Sequence, residues 1–196
     1  MGVSKVNQCS VNHSKIMRIL GTKSIVLIGL MGCGKSSIGR RLATRIDLPF
    51  LDSDEEIEKA AGKTILEIFS DHGEAYFRDR ERLIVGRLLQ HGPQVLATGG
   101  GAFICPQIRE AIFKRGISIW LKAELKVLME RVSRRENRPL LSTGDPGETM
   151  RRLMVDRYPI YSLAEITVES KAGIVEDVVD YIICRLEDYV TKVTDF

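Results

Sequence analysis

Ser24-Ile25-Val26-Leu27-Ile28-Gly29-Leu30-Met31-Gly32-Cys33-Gly34-Lys35-Ser36 is the stretch on which the fold turns. Its first five residues read as a buried strand, and Gly29 ends them. Gly29 to Ser36 then matches G-x-x-x-x-G-K-[ST] without a mismatch. Ser36 to Ile46 follows with Ile38, Leu42 and Ile46 at helical spacing. A strand, a glycine loop and a helix in that order form a phosphate cradle. Glycines let backbone N–H groups close around phosphate oxygens, and the helix start adds unpaired N–H groups and its dipole. The motif in this context predicts a nucleoside-triphosphate site. Lys35 is expected to neutralise β- and γ-phosphate charge and Ser36 to reach Mg²⁺. The expected ATP contacts from this segment are Gly32, Cys33, Gly34, Lys35, Ser36 and Ser37. Cys33, beside a cation and a helix start, is expected to be the most reactive thiol when ATP is absent.

Outward from the loop, short apolar segments alternate with helical ones. Further strands are predicted at Pro49 to Leu51, Val95 to Thr98, Gly116 to Leu121 and Glu165 to Val168. Thr64 and Glu67 form a capping box opening a helix through Phe69. Further helices are predicted from about Glu74 to Gln90, from Pro106, and from Glu124 to Val132. The last helix carries apolar positions 174, 175, 178, 179, 182, 183 and 186 on one stripe. Strand–helix alternation with continuous apolar strands predicts an α/β fold, a parallel sheet covered on both faces. Ligands of such sheets bind outside the carboxyl ends of the strands, where every motif of this chain falls.

The chain has 196 residues, enough for one substantial domain, with 44% hydrophobic and 28% charged residues. A formal charge of +3 is too small to suggest a nucleic-acid partner. The apolar run Ile25 to Met31 is far shorter than a membrane span, and Lys5, Lys15 and Arg18 interrupt any secretory signal. A cytoplasmic protein is therefore expected. Residues 1–46 carry eight Lys and Arg and no acid. Residues 1–23 are read as a tail rather than a transit peptide, and 24–196 as one domain. Cys9, Cys33, Cys105 and Cys184 have neither C-x-x-C nor metal-ligand spacing and are read as free thiols. His13, His72 and His91 form no partnered pattern and are read as structural or exposed.

The remaining motifs concern the acceptor of the phosphoryl group. Neither the D-x-x-G nor the N-K-x-D of a GTPase occurs, and the length suits a small-molecule kinase. Such enzymes close an Arg-rich lid over the phosphates, and the polar stretch from Ser133 to Gly147 is the lid candidate. Asp52-Ser53-Asp54 stands at the end of the second strand. There one carboxylate can serve the metal and the other an acceptor hydroxyl, although one Asp can also be a helix N-cap. Arg78 has Glu81 three residues on, a spacing that suits either an exposed pair or an Arg oriented toward an anionic acceptor. Gly99-Gly100-Gly101 implies a close approach of backbone or ligand. Thr98 stands where many phosphate-loop proteins place an Asp, so Asp52 is the nearest candidate for the metal's carboxylate.

Together, G-L-M-G-C-G-K-S, D-S-D, F-R-D-R-E, T-G-G-G, R-P-L-L and R-Y-P-I-Y resemble the shikimate kinases over roughly residues 24–168. The resemblance implies a three-layer α/β/α fold with a five-stranded parallel sheet of order 2-3-1-4-5. It implies ATP-dependent phosphorylation of the 3-hydroxyl of shikimate, in the biosynthesis of chorismate and aromatic amino acids, with Mg²⁺ as cofactor. By the same resemblance, Asp54, Phe77, Arg78, Gly99, Gly100, Gly101 and Arg157 surround shikimate. Lys35, Asp54 and Arg138 carry the catalysis, Ser36 and Asp52 serve the metal, and Arg138 closes over the transferring phosphate. Arg131 aligns with a family position whose guanidinium stacks on adenine, although it also reads as one of four arginines on a solvated lid edge. The family often has Asn-Pro after the last strand; here Ser170-Lys171-Ala172-Gly173 stands instead, leaving the second side of the adenine pocket unassigned. A monomer acting on ATP and shikimate is expected, with neither nucleic acid nor membrane as partner. A gluconate kinase and a catalytically silent domain of this fold are the alternatives. Phe77-Arg78, the triple glycine and Arg157 argue against the first, and the presence of Lys35, Asp54 and Arg138 against the second.

Overall fold

The computed structural model describes residues 13–133, 145–171 and 173–194. Its centre is β1 (Ser24–Ile28), all five residues of which are buried. A strand buried on both faces must be covered by helices on both, and Ile25 to Ile28 are accordingly all apolar. Around it lie β2 (Phe50–Asp52), β3 (Val95–Ala97), β4 (Gly116–Lys122) and β5 (Ile166–Glu169). All pair in parallel in the order β2-β3-β1-β4-β5, as the resemblance implies. From β1 the chain crosses to β2 on one side and from β3 to β4 on the other, so the carboxyl ends of β1 and β3 open one crevice between them. The edge strand β5 alternates buried and exposed residues, as befits a strand with one covered face.

Eight helices connect and flank these strands among the described residues: α1 (His13–Leu20), α2 (Lys35–Arg45), α3 (Ser53–Ala61), α4 (Ile65–Leu88), α5 (Pro106–Arg115), α6 (Leu125–Val132), α7 (Pro146–Tyr161) and α8 (Val175–Thr194). Helix α4 unites the two helices expected from Thr64 and from Glu74, with a kink at Gly73, whose φ of 79° lies outside the helical range. The capping box is present in full: Thr64 accepts from the Glu67 N–H, and Glu67 accepts from the Thr64 N–H. Helix α8 lays its apolar stripe, with Val179, Ile182, Ile183 and Leu186 buried, into the main core beside α2 and β5.

Two boundaries differ from the sequence reading. Residues 1–23 are not all tail: α1 packs on α8, and its Ile16 and Leu20, four apart on one helical face, are buried in the main core. Helix α7 was not expected at all, and it begins inside the predicted lid. Asp145 caps it by accepting from the Gly147 N–H, and Pro146 takes the first turn, where a missing N–H costs nothing. An Asp-Pro pair ahead of a helical segment is the signal that marks this start. Residues 134–144 of the predicted lid lie outside the described residues.

Candidate active site

Two cavities, each of about 390 Å³, open side by side at the carboxyl ends of the strands. The first is built on the phosphate loop. Gly34, with φ of 99°, turns the chain into α2 in a conformation that a side chain resists. Gly32, Gly34, Lys35, Ser36 and Ser37 all line this cavity. The Lys35 ammonium donates to the carbonyls of Gly29 at 2.8 Å and Leu30 at 3.0 Å, which holds the cation at the loop. Ser36 donates its hydroxyl proton to Asp52 Oδ2 at 2.6 Å, and the other carboxylate oxygen of Asp52 accepts from the Asp54 N–H at 3.0 Å. Asp52 is thus both the N-cap of α3 and the carboxylate facing the Ser36 hydroxyl. The two readings of the D-x-D pair are not exclusive. Thr98, at the end of β3, donates to the Leu27 carbonyl at 3.1 Å and ties β3 to β1.

Cys33 departs from expectation. Its side chain is fully buried, packed into the main core, with the sulfur 3.8 Å from the Lys35 ammonium. A reactive thiol must be reachable as well as ionised, so Cys33 serves the loop through its backbone and is not the exposed nucleophile expected from its position. Cys105 and Cys184 are the partly exposed thiols among the described residues.

The second cavity is assembled from distant segments. Asp54, Phe77, Arg78, Gly99, Gly100, Gly101 and Arg157 all line it, together with Glu58, Glu81 and the first turn of α4. Every acceptor-side residue expected from the sequence is brought here. Arg78 donates to Glu81 at 2.8 Å and to Glu74 at 3.0 Å. Glu81 is completely buried, so this is not a surface bridge. Burial raises the Glu81 carboxyl above the usual glutamate range, and the Arg78 guanidinium opposes that rise. Phe77 is buried against Ile57 and Ile68 and forms the cavity's apolar wall.

Close approach accounts for the first and third of the three glycines, whereas a Cβ at Gly100 would make only ordinary contacts of 3.5 Å and more. A Cβ at Gly99 would stand 2.7 Å from both Asp54 Oδ1 and Glu81 Oε1, and one at Gly101 would stand 2.5 Å from Arg78 Nη1. The loop is fixed from three directions. Its Gly99 N–H donates to the buried Ser53 hydroxyl at 3.0 Å, and the Gly100 carbonyl accepts both from Arg157 Nη1 at 3.1 Å and from the Tyr161 hydroxyl. Burial raises the Tyr161 hydroxyl well above its ordinary range and pushes Tyr158 up to about 12, so both are protonated donors at neutral pH. Ser53 and Tyr161 are missing from the sequence reading. Ser53 lies inside D-S-D and Tyr161 inside R-Y-P-I-Y, so both were legible as motif members, but neither motif says which atom they hold.

Arg131 lines the first cavity and is hydrogen-bonded to the loop after β5, so it is not merely a solvated lid arginine. Arg138 lies outside the described residues. Met31, Asp54 and Gly100 line both cavities. The two cavities therefore share a wall drawn from three segments of the chain.

Residues 31–187 match the family model described as shikimate kinase. The chain belongs to the shikimate kinase family. The shikimate kinase of Rhodopseudomonas palustris is 51% identical over 92% of this chain and 89% of its own length. Shikimate kinase from Acinetobacter baumannii, solved in complex with shikimate, is 37% identical, with a TM-score of 0.84 over 88% of this chain and 97% of that one. A gluconokinase from Sinorhizobium meliloti superposes with a TM-score of 0.57 at 19% identity over 88% of this chain and 96% of its own, a likeness of fold alone. As a member of the family the protein is a P-loop kinase, a transferase that phosphorylates shikimate with ATP.

Proposed function

We propose that the protein transfers the γ-phosphoryl group of ATP to the 3-hydroxyl of shikimate, with ATP in the phosphate-loop cavity and shikimate in the cavity beside it. The observation that carries this assignment is the shared wall: Met31, Asp54 and Gly100 line both cavities. Asp54 orients the acceptor hydroxyl at that wall and accepts its proton as the new P–O bond forms. Lys35 offsets charge on the phosphoryl oxygens, and Arg138 does so from the lid. Arg78, held by Glu81, and Arg157, held on the Gly100 carbonyl, bind the shikimate carboxylate. Arg suits this role because its fork matches a carboxylate's two oxygens. Phe77 supports the carbocycle.

The residues at the first cavity fit Mg²⁺. Ser36 and Asp52 offer two hard oxygens in mutual contact, and among the described residues no group of three or more His, Cys, Asp or Glu could hold a metal. That suits a cation that keeps several waters and phosphate oxygens. Ser36 and Asp52 would hold Mg²⁺, which would supply positive charge to offset that of the phosphates. No helix among the described residues is long and apolar enough to cross a membrane. The proposal includes a cytoplasmic monomer that engages neither nucleic acid nor membrane, organised as one kinase domain.

ADP release from purified protein with MgATP and, separately, shikimate, gluconate or nucleoside monophosphates tests the assignment. Shikimate-dependent turnover, lowered at least about 10²-fold by Asp54→Asn with ATP binding retained, is the expected result. Turnover only with another acceptor would overturn the acceptor cavity and leave the phosphate loop standing. ATP binding without turnover on any acceptor would identify a silent domain.

A further inference from the structure

On the side of the nucleotide cavity away from the acceptor, one buried hydroxyl takes no part in the transfer chemistry yet joins three segments. Ser170 follows β5 and is 1% exposed. Its N–H donates to the Lys122 carbonyl at 2.7 Å, which seats it at the carboxyl end of the sheet. Its hydroxyl donates to the Cys33 carbonyl, inside the phosphate loop, at 2.8 Å. The same oxygen accepts from Arg131 Nη1 at 2.9 Å. Arg131 Nη2 donates to the Lys171 carbonyl at 2.8 Å, and Nη1 also reaches the carbonyls of Cys33 and Gly32 at 3.3 and 3.4 Å.

Two features of this network point to a ligand. Among the described residues, every acceptor that holds the Arg131 guanidinium is neutral, a carbonyl or the Ser170 hydroxyl, beside the phosphate loop. Guanidinium N–H groups lie in the plane of the group. Bonds at both terminal nitrogens therefore fix that plane and leave its faces for a flat ring. Arg131, Ser170, Lys171 and Ile174 line the cavity together.

We propose that Ser170 is a positioning residue for the nucleotide base: by bonding the Cys33 carbonyl and Arg131 at once, it sets the guanidinium plane relative to the phosphate loop. The inference rests on the reading of this cavity as the ATP site. Without the hydroxyl, Arg131 loses its shortest Nη1 acceptor and keeps there only the two contacts beyond 3.2 Å. The Cys33 carbonyl loses its short donor.

The test is a double-mutant cycle on the full chain with Ser170→Ala, Arg131→Ala and both, read by calorimetric ADP binding and by steady-state kinetics. Ser170→Ala should weaken ADP and raise the KM for ATP about fivefold to tenfold, the scale of one ordinary hydrogen bond. Both kcat and the KM for shikimate should stay within about twofold. In the Arg131→Ala background, adding Ser170→Ala should change ADP affinity less than about twofold, because the residue through which it acts is gone. Unchanged ADP affinity in Ser170→Ala overturns the inference. So does an additive loss in the double variant, or a parallel rise in both KM values, since a merely structural role would produce either. An Arg131→Ala protein that binds ADP like the parent would overturn the placement of the base as well. An additive cycle would overturn the role of Ser170 alone.

Discussion

The two cavities have equal volumes and share a wall, but the phosphate-loop part of the first is local in the chain and no comparable part of the second is. Six residues of the nucleotide cavity, Gly32 and Gly34 to Ile38, fall within seven consecutive positions. The acceptor cavity draws on residues near 54, 77–81, 99–101 and 157, joined only by the fold. The difference follows from what each must recognise. Phosphate oxygens are satisfied by successive backbone N–H groups at one helix start, so a short local sequence suffices. A carbocycle with a carboxylate on one side and hydroxyls on others must be met from several directions by side chains of several elements.

The largest test of that contrast is Asp54→Asn, at the shared wall. It should lower kcat by a factor of about 10² to 10⁴, the usual range for removing a positioned proton acceptor, with ADP affinity within about twofold. Equal loss of ADP affinity would mean that the wall belongs to the nucleotide side.

Gly101→Ala comes next. Its Cβ would fall 2.5 Å from Arg78 Nη1, so Arg78 must move. The KM for shikimate should rise about tenfold, equivalent to about 1.4 kcal/mol, while that for ATP holds. A rise in both would show that the triple glycine is coupled to the phosphate loop.

Glu81→Gln gives a smaller effect with a pH signature. Burial raises the Glu81 carboxyl, so from about pH 4.5 upward, until the folded-state value is passed, the folded protein holds a proton that the unfolded chain has released. Stability of the parent falls with pH across that window. The Gln variant lacks that slope, so its melting temperature relative to the parent should climb with pH, while its weaker hold on Arg78 raises the KM for shikimate. A relative melting temperature that does not change with pH would show that Glu81 is ionised in both states.

Smallest is Thr64→Ala, which removes the cap at the acceptor cavity's edge. It should cost about 1 kcal/mol of stability and leave the KM for ATP unchanged.

The parallel sheet, the phosphate loop and the capping box were legible in the residues themselves, and the sheet order and the set of acceptor residues through the resemblance to the shikimate kinases. Helix α7 was not. Its buried residues, Met150, Leu153 and Tyr161, are too sparse to form a continuous stripe, and Pro159 stands within its last turn. Helix α1 was lost because its apolar residues, Ile16, Met17, Ile19 and Leu20, span only five positions of a basic stretch, too short a pattern to tell from a tail until α8 lies against it. Cys33 was misjudged for a related reason: sequence gives a thiol's charged neighbours in the chain, whereas its exposure depends on residues far from it.

By itself the sequence determined what depends on local backbone geometry and on alternation of apolar segments: a parallel α/β sheet, a phosphate cradle at Gly29 to Ser36, and which side chains have the chemistry to meet an anionic polyol. Only the tertiary structure decided how those side chains are held. Glu81 takes Arg78 in the dry interior, Ser53 and Tyr161 fix the glycine loop, and Ser170 reaches 137 residues back to the Cys33 carbonyl. The spacing of Arg78 and Glu81 was visible in the chain but the burial of Glu81 was not; the other contacts join groups that no spacing relates, because their distance is set by packing of the sheet and its helices.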